Sequence, residues 1–259
     1  MADNNVFSIR NLTFGYDKQD VLKDLNLDIA KGKITTLIGA NGCGKSTLFN
    51  LCTKNLKALS GNISLEGDDI TDMRLREFAQ KVAIVHQYNT APADITVEKL
   101  VAYGRTPYMK FGISKDTKLD EEKVRFALEI TNTYKRKDKP VAELSGGQKQ
   151  RVWIAMALAQ DTRILFLDEP TTYLDIRYQL QILKLIRKLN REYGMTIIMV
   201  LHDINQSLYY SDEIAAMKEG KIIAKGKPEN VITSKLIEAV YGVSRSVSEV
   251  DGKPYVLTV

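Results

Sequence analysis

The 259-residue sequence is poor in the residues that staple or metallate a fold: it holds 2 cysteines, 2 histidines, 1 tryptophan and 6 prolines. Cys43 and Cys52 are too few to frame a disulfide scaffold. If the segment after Gly44 is helical, they lie about 10 Å apart along it, beyond the roughly 7 Å that a bridge spans. Both are expected as reduced thiols, as in the cytosol. His86 and His202 offer no Cys/His metal cluster with them, and His86 reads as a packing residue. Long apolar runs are also missing. The purest, Ile164–Leu167 and Ile197–Leu201, fall far short of the roughly 18 residues of a spanning helix. Met1 to Asn5 carry neither a basic nor an apolar leader pattern, so no secretion signal is expected. Nor does one sign of charge dominate. The balance of 37 Lys and Arg against 32 Asp and Glu leaves +5, interleaved along the chain, which reads as a mixed solvated surface and not a nucleic-acid footprint.

What is present is ordinary for a globular protein: 44% hydrophobic and 27% charged residues, enough to bury a core without staples. Phe7 and Ile9, Leu12 and Phe14, and Leu25, Leu27 and Ile29 alternate with polar residues as strands. Ile34 to Ile38 is a buried-strand run, and a helix is expected from Lys45 to about Lys54. Gly61–Leu65 and Val82–Val85 are further strands. From about Asn89 to Gln160 the texture turns helical, with Asp120, Glu121 and Glu122 as an acidic first turn and Val124, Ala127, Leu128 and Thr131 on one face. Strand–helix alternation then returns: a strand at Ile164–Asp168, a long helix at Ile176–Tyr193 capped by Asp175, and a strand at Thr196–Leu201. A hairpin turning at Glu219-Gly220, a helix at Ser234–Tyr241 and a strand-like tail follow. The pattern predicts an α/β fold with a largely parallel sheet and an inserted helical block.

Three segments carry chemistry. Gly39-Ala40-Asn41-Gly42-Cys43-Gly44-Lys45-Ser46 fits G-x-x-x-x-G-K-[ST] between a predicted strand and a predicted helix. Its backbone N–H groups can wrap a phosphate, Lys45 can reach β- and γ-phosphates, and Ser46 offers a hydroxyl to Mg²⁺. The strand Ile164–Leu167 ends in Asp168, a candidate Mg²⁺ ligand through water, and Glu169, the candidate to polarise an attacking water. Leu144-Ser145-Gly146-Gly147-Gln148 precedes a helix expected from about Lys149 to Gln160. Ser145 and Gln148 fit a capping box, and the two glycines could leave N–H groups bare for an anion.

Over nearly its whole length the chain resembles the ATP-binding subunit of ABC transporters, and Leu144–Gln148 resembles that family's signature motif. The resemblance implies a P-loop NTPase (RecA-like) core with antiparallel N-terminal strands and an inserted α-helical subdomain. It implies one ABC ATPase domain over 1–259: core at 1–88 and 161–240, helical signature subdomain at 89–160, C-terminal extension at 241–259. It implies nucleotide contacts from Tyr16, stacked on adenine, and from Gly39 through Ser46 with Thr47. Gln87 matches the glutamine linking Mg²⁺ to the membrane partner, His202 the switch histidine near the γ-phosphate, and Asp175 the loop between two active sites. Lys45, Gln87, Glu169 and His202 are then catalytic, with Ser46, Gln87 and Asp168 on the metal. Ser145, Gly146, Gly147 and Gln148 would act in trans, across a head-to-tail homodimer.

The cofactors implied are ATP and Mg²⁺. The partners implied are two transmembrane permease subunits and an extracytoplasmic substrate-binding protein, with no nucleic acid. The place implied is the cytoplasmic face of the cell membrane, as a peripheral protein. Gly104-Arg105-Thr106-Pro107 resembles the Gly-Arg-x-Pro segment of importers for iron-siderophores, haem and cobalamin, and Tyr88, Tyr103, Arg105 and Tyr108 are expected to meet a permease. The substrate expected is an iron-siderophore, with haem, cobalamin or a metal ion as alternatives. A soluble ABC ATPase of iron-sulfur assembly or a nucleic-acid-linked one is the alternative class.

Overall fold

A computed structural model describes residues 5–17, 19–110, 116–250 and 253–257. In chain order the elements begin with strands β1 (Asn5–Tyr16), β2 (Gln19–Ala30) and β3 (Ile34–Gly39) and helix α1 (Lys45–Cys52). Next come β4 (Ser60–Leu65), β5 (Asp68–Asp69), α2 (Leu75–Ala79), β6 (Val82–Val85), α3 (Val97–Ala102), α4 (Thr117–Ile130) and α5 (Gly146–Ala159). The chain continues through β7 (Ile164–Asp168), α6 (Ile176–Tyr193), β8 (Thr196–Val200), α7 (Ile204–Tyr210), β9 (Glu213–Lys218) and β10 (Lys221–Gly226). Last are α8 (Pro228–Val231), α9 (Ser234–Tyr241), β11 (Val247–Val250) and β12 (Lys253–Val256). The chain divides into two units, one from residues up to Met73 and from Thr196 onward, the other Arg74–Met195.

In the first unit, β1 pairs antiparallel with β2, Ile9 opposite Leu27, and with β4, Ile9 opposite Ile63. The alternation read from the sequence buries Phe7, Ile9, Leu25 and Leu27 on one side. β3 is buried at every residue. It runs parallel to β8, Ile34 opposite Ile197, and to β9, Thr36 opposite Ile214. Such a strand is covered on both faces, hence its β-branched and apolar run, in which the buried Thr36 hydroxyl is paired with Ser211 Oγ at 2.6 Å. The β9–β10 hairpin turns on Glu219 (φ 48°) and Gly220 (φ 80°), the two left-handed residues of a tight hairpin turn. Ile38, Ile214, Val231, Ile237, Val240 and Val256 form one apolar cluster under α8, α9 and β12.

In the second unit, β6 and β7 pair parallel, Val85 opposite Leu167. α5 is the central helix, with Val152, Ile154, Ala155 and Ala159 buried, and α3 and α4 pack on it. α6 buries Ile182, Leu185, Ile186 and Leu189 on one face. The Asp175 carboxylate caps its start, accepting from Tyr178 N at 3.1 Å, and Gly194 closes it at φ 65°.

The antiparallel N-terminal strands and the mixed α/β build agree with the expected fold class. Three boundaries differ. α1 ends at Cys52, where Thr53 turns its hydroxyl back on Phe49 O at 2.9 Å. α4 starts at Thr117, capped by Asp116, so Asp120, Glu121 and Glu122 follow the first three helical residues. α5 starts at Gly146, so both signature glycines lie in its first turn. In the second unit β6, β7 and α6 group with the helices of 74–195.

Candidate active site

In the first unit, Gly39–Ser46 joins the buried end of β3 to the start of α1. The loop is held from outside: Gly220 N donates to Cys43 O at 3.0 Å, and Lys23 N to Gly220 O at 3.1 Å. Gly42 lies at φ 78°, a conformation that costs an L side chain, and a Cβ there would touch nothing within 4 Å. Ala40 is half-buried, Asn41, Gly42 and Ser46 are exposed, and Cys43, Gly44 and Thr47 are buried. Lys45 is buried, and its ammonium donates to Gly39 O at 2.7 Å and Ala40 O at 2.9 Å. The positive charge therefore folds over its own loop, satisfied by neutral carbonyls that a stronger anion can replace. Tyr241, unmarked by any sequence signal, lies against this loop. Burial, with Cys43 adding to it, pushes its phenol up to about 12 despite a bond to the Gly39 backbone. Tyr16, 51% exposed, stands edge-on to Phe14 with ring centroids 5.0 Å apart. His202 is exposed at the end of β8, next to Asp203, which caps α7 through Gln206 N at 2.8 Å.

In the second unit, β7 ends in buried Asp168, followed by half-buried Glu169 at φ 48°. Glu169 Oε2 accepts from Gln87 Nε2 at 2.5 Å and from Thr172 Oγ1 at 3.0 Å. The register explains the first bond: Val85 and Leu167 are paired, and Gln87 and Glu169 each stand two residues beyond. Ser145 is exposed at the N-cap of α5, and Gln148 Oε1 accepts from its backbone N–H at 3.1 Å. Gly146 is exposed, but Gly147 is buried, and a Cβ on it would stand 2.4 Å from the Tyr178 ring of α6. Thr172 lies three residues before Asp175, in the loop that the resemblance sets between two active sites; its bond to Glu169 and the contact of Tyr178 with Gly147 carry no sequence signal of their own.

The Gly-Arg-x-Pro segment is a correction. Arg105 does not face outward as an anchor for a partner. It is buried, donates to Asp120 Oδ1 at 2.7 Å and Ala159 O at 2.9 Å, and lies 4.0 Å over the Tyr108 ring. A Cβ on Gly104 would come within 2.1 Å of Met156 O. Gly104 and Arg105 thus lock this turn to the end of α5, a packing role. Tyr103 (58%) and Tyr88 (70%) are the exposed aromatics of the segment. His86 is half-buried, and burial holds its imidazole below the usual range. Both cysteines are free, and burial pushes the Cys52 thiol up to about 12, which leaves it unreactive. Among the described residues no group of His, Cys, Asp and Glu is arranged to hold a metal by itself, and no helix is long and apolar enough to cross a membrane.

The family described as ABC transporter matches residues 22–172. The chain is 43% identical over 248 residues to the ferric enterobactin transport ATP-binding protein FepC of Escherichia coli (strain K12), covering 95% of this chain and 91% of that protein. It is 43% identical over 244 residues to the iron(3+)-hydroxamate import ATP-binding protein FhuC of Bacillus subtilis (strain 168), covering 94% and 90%. A solved structure of MJ1267, an ATP-binding cassette of an ABC transporter in its ADP conformation, superposes with a TM-score of 0.82 at 27% identity, covering 92% of this chain and 99% of that one. The chain therefore belongs to the ABC transporter family, as one of its ATP-binding, ATP-hydrolysing subunits.

Proposed function

We propose that this chain powers the import of an iron-siderophore across a cell membrane. It does so as a head-to-tail homodimer seated peripherally, on the cytoplasmic face, on two permease subunits fed by an extracytoplasmic binding protein. The observation that carries the reading is near-full-length similarity to subunits named for ferric enterobactin and iron(3+)-hydroxamate.

The residues divide the work. Lys45 leaves the carbonyls of Gly39 and Ala40 for the β- and γ-phosphates, while the backbone from Gly39 through Thr47 cradles them. Tyr16 stacks on adenine through the ring face its exposure leaves open. The Ser46 hydroxyl, the Asp168 carboxylate and the Gln87 amide oxygen are hard oxygen donors, the set that suits Mg²⁺. Held by these residues, Mg²⁺ would supply neutralisation of the negative charge that develops on the phosphates. Glu169 orients and polarises the attacking water, and His202 contacts the γ-phosphate. Ser145, Gly146, Gly147 and Gln148 of a second copy close on the nucleotide and exclude water, and Asp175 lies in the loop between the two sites. Opening after hydrolysis is the stroke that the permease converts to transport.

Deleting the gene and measuring radio-iron uptake from several purified siderophores tests the proposal. Uptake from at least one should fall to background. Unchanged uptake from all of them, with loss of haem or cobalamin use, assigns the chain to those substrates instead.

A further inference from the structure

Two exposed tyrosines in the second unit are tied to the carboxylate from both sides. Glu169 Oε2 takes one bond from Gln87 and one from Thr172. The next residue after each donor is a tyrosine, Tyr88 and Tyr173, and their hydroxyls meet at 3.0 Å. The rings lie 6.3 Å apart, tilted by 38°. A closed circuit therefore runs from Glu169 through Gln87 and Tyr88 to Tyr173 and Thr172, and back to Glu169.

The circuit is held against two costs. Tyr88 is 70% and Tyr173 81% exposed, so little burial repays their ordering. Tyr173 also sits at φ 62°, a left-handed conformation that a bulky side chain adopts only when its surroundings impose it. With two donors on one carboxylate oxygen, that oxygen has no lone pair left to take a proton from water.

Resting on the catalytic reading of Glu169 above, we propose that Tyr88 and Tyr173 are positioning residues: their hydroxyl pair keeps Gln87 and Thr172 on Glu169 Oε2, so that this oxygen meets the attacking water only when the two loops part. The segment after Gln87 and the segment before Asp175 then move as one piece, and the hydroxyl pair sets the basal rate.

Tyr88→Phe and Tyr173→Phe keep both rings and delete one hydroxyl each. In the full-length chain each should raise basal ATP turnover by about 3- to 10-fold, the range one neutral hydrogen bond carries, with KM for ATP unchanged. The double variant should rise no further than either single one, because one bond is lost in all three. Wild-type or reduced turnover in both single variants overturns the proposal, as do rises that multiply in the double variant. Adding Glu169→Gln to Tyr173→Phe separates the two readings. If turnover survives that change, the catalytic reading of Glu169 fails and the positioning role with it. If turnover is abolished while the tyrosine variants match wild type, only the positioning role fails.

Discussion

Gly42 in the phosphate loop and Gly104 and Gly147 in the second unit are glycines for opposite reasons. Gly42 has open space around it and a positive φ of 78°, so a side chain would fit and the backbone would not. Gly104 and Gly147 have no left-handed backbone, but a Cβ would meet Met156 O at 2.1 Å or the Tyr178 ring at 2.4 Å. In the phosphate loop it is the left-handed dihedral that calls for glycine. In the second unit the missing side chain lets two elements touch: the Gly104 turn against α5, and α5 against α6. A glycine-rich motif is thus evidence of conformation in one place and of contact in another.

The sharpest break is Lys45→Ala, which leaves the loop's backbone alone and removes the charge it presents. ATP turnover should fall at least about 100-fold with circular dichroism unchanged. Calorimetry should show ATP affinity lost as well. Gly104→Ala comes next, because Met156 O is backbone and cannot turn aside. A loss of about 2–3 kcal/mol by urea unfolding is expected. Gly147→Ala meets an aromatic ring that can shift, so its cost should be smaller, about 1–2 kcal/mol in the same assay. Gly42→Ala should cost about 1 kcal/mol, and Gly42→Asn less, since Asn tolerates the left-handed region. Equal costs for Ala and Asn would mean that space and not conformation governs the loop.

The smallest effect lies outside both regions and calibrates them. Burial pushes the Glu213 carboxyl up, but Lys33 at 2.5 Å and Lys225 at 3.0 Å outweigh it and hold the group below its ordinary range. A depressed carboxyl stabilises the fold above its unfolded pKa and stops doing so as pH falls through the folded one. Glu213→Gln should therefore cost about 0.5–1 kcal/mol at neutral pH, the scale of a solvent-screened pair, and the gap to wild type should close below about pH 4. A gap that persists at low pH would mean lost packing, not lost charge.

Much of this was legible in the amino-acid order. The phosphate loop announces itself because each of its demands, glycine, lysine and hydroxyl, is met at fixed spacing within eight residues. The Asp175 cap, the Glu219-Gly220 turn and the apolar strands are equally local, since caps, turns and periodicity act over one turn or one strand. The start of α4 reads three residues late because its cap, Asp116, precedes polar residues that carry no apolar period; for α5 the Ser145–Gln148 capping box marks the true start, and only the expected bound at Lys149 is late, because Gly146 and Gly147 carry no helical signal.

What tertiary structure alone decided is which residues face one another across long separations. Arg105 carries the same side chain whether it greets a partner or is buried on Asp120, and only packing chooses. Gly147 is permissive in sequence until Tyr178 arrives over it. Tyr88 and Tyr173 are 85 positions apart, and nothing along the chain links them until the parallel pairing of β6 and β7 carries their two loops to one strand edge. The amino-acid order determined the chemistry each segment can offer, because that depends on residue type at short range. The fold determined which offers meet, because contact across long separations depends on how whole elements pack.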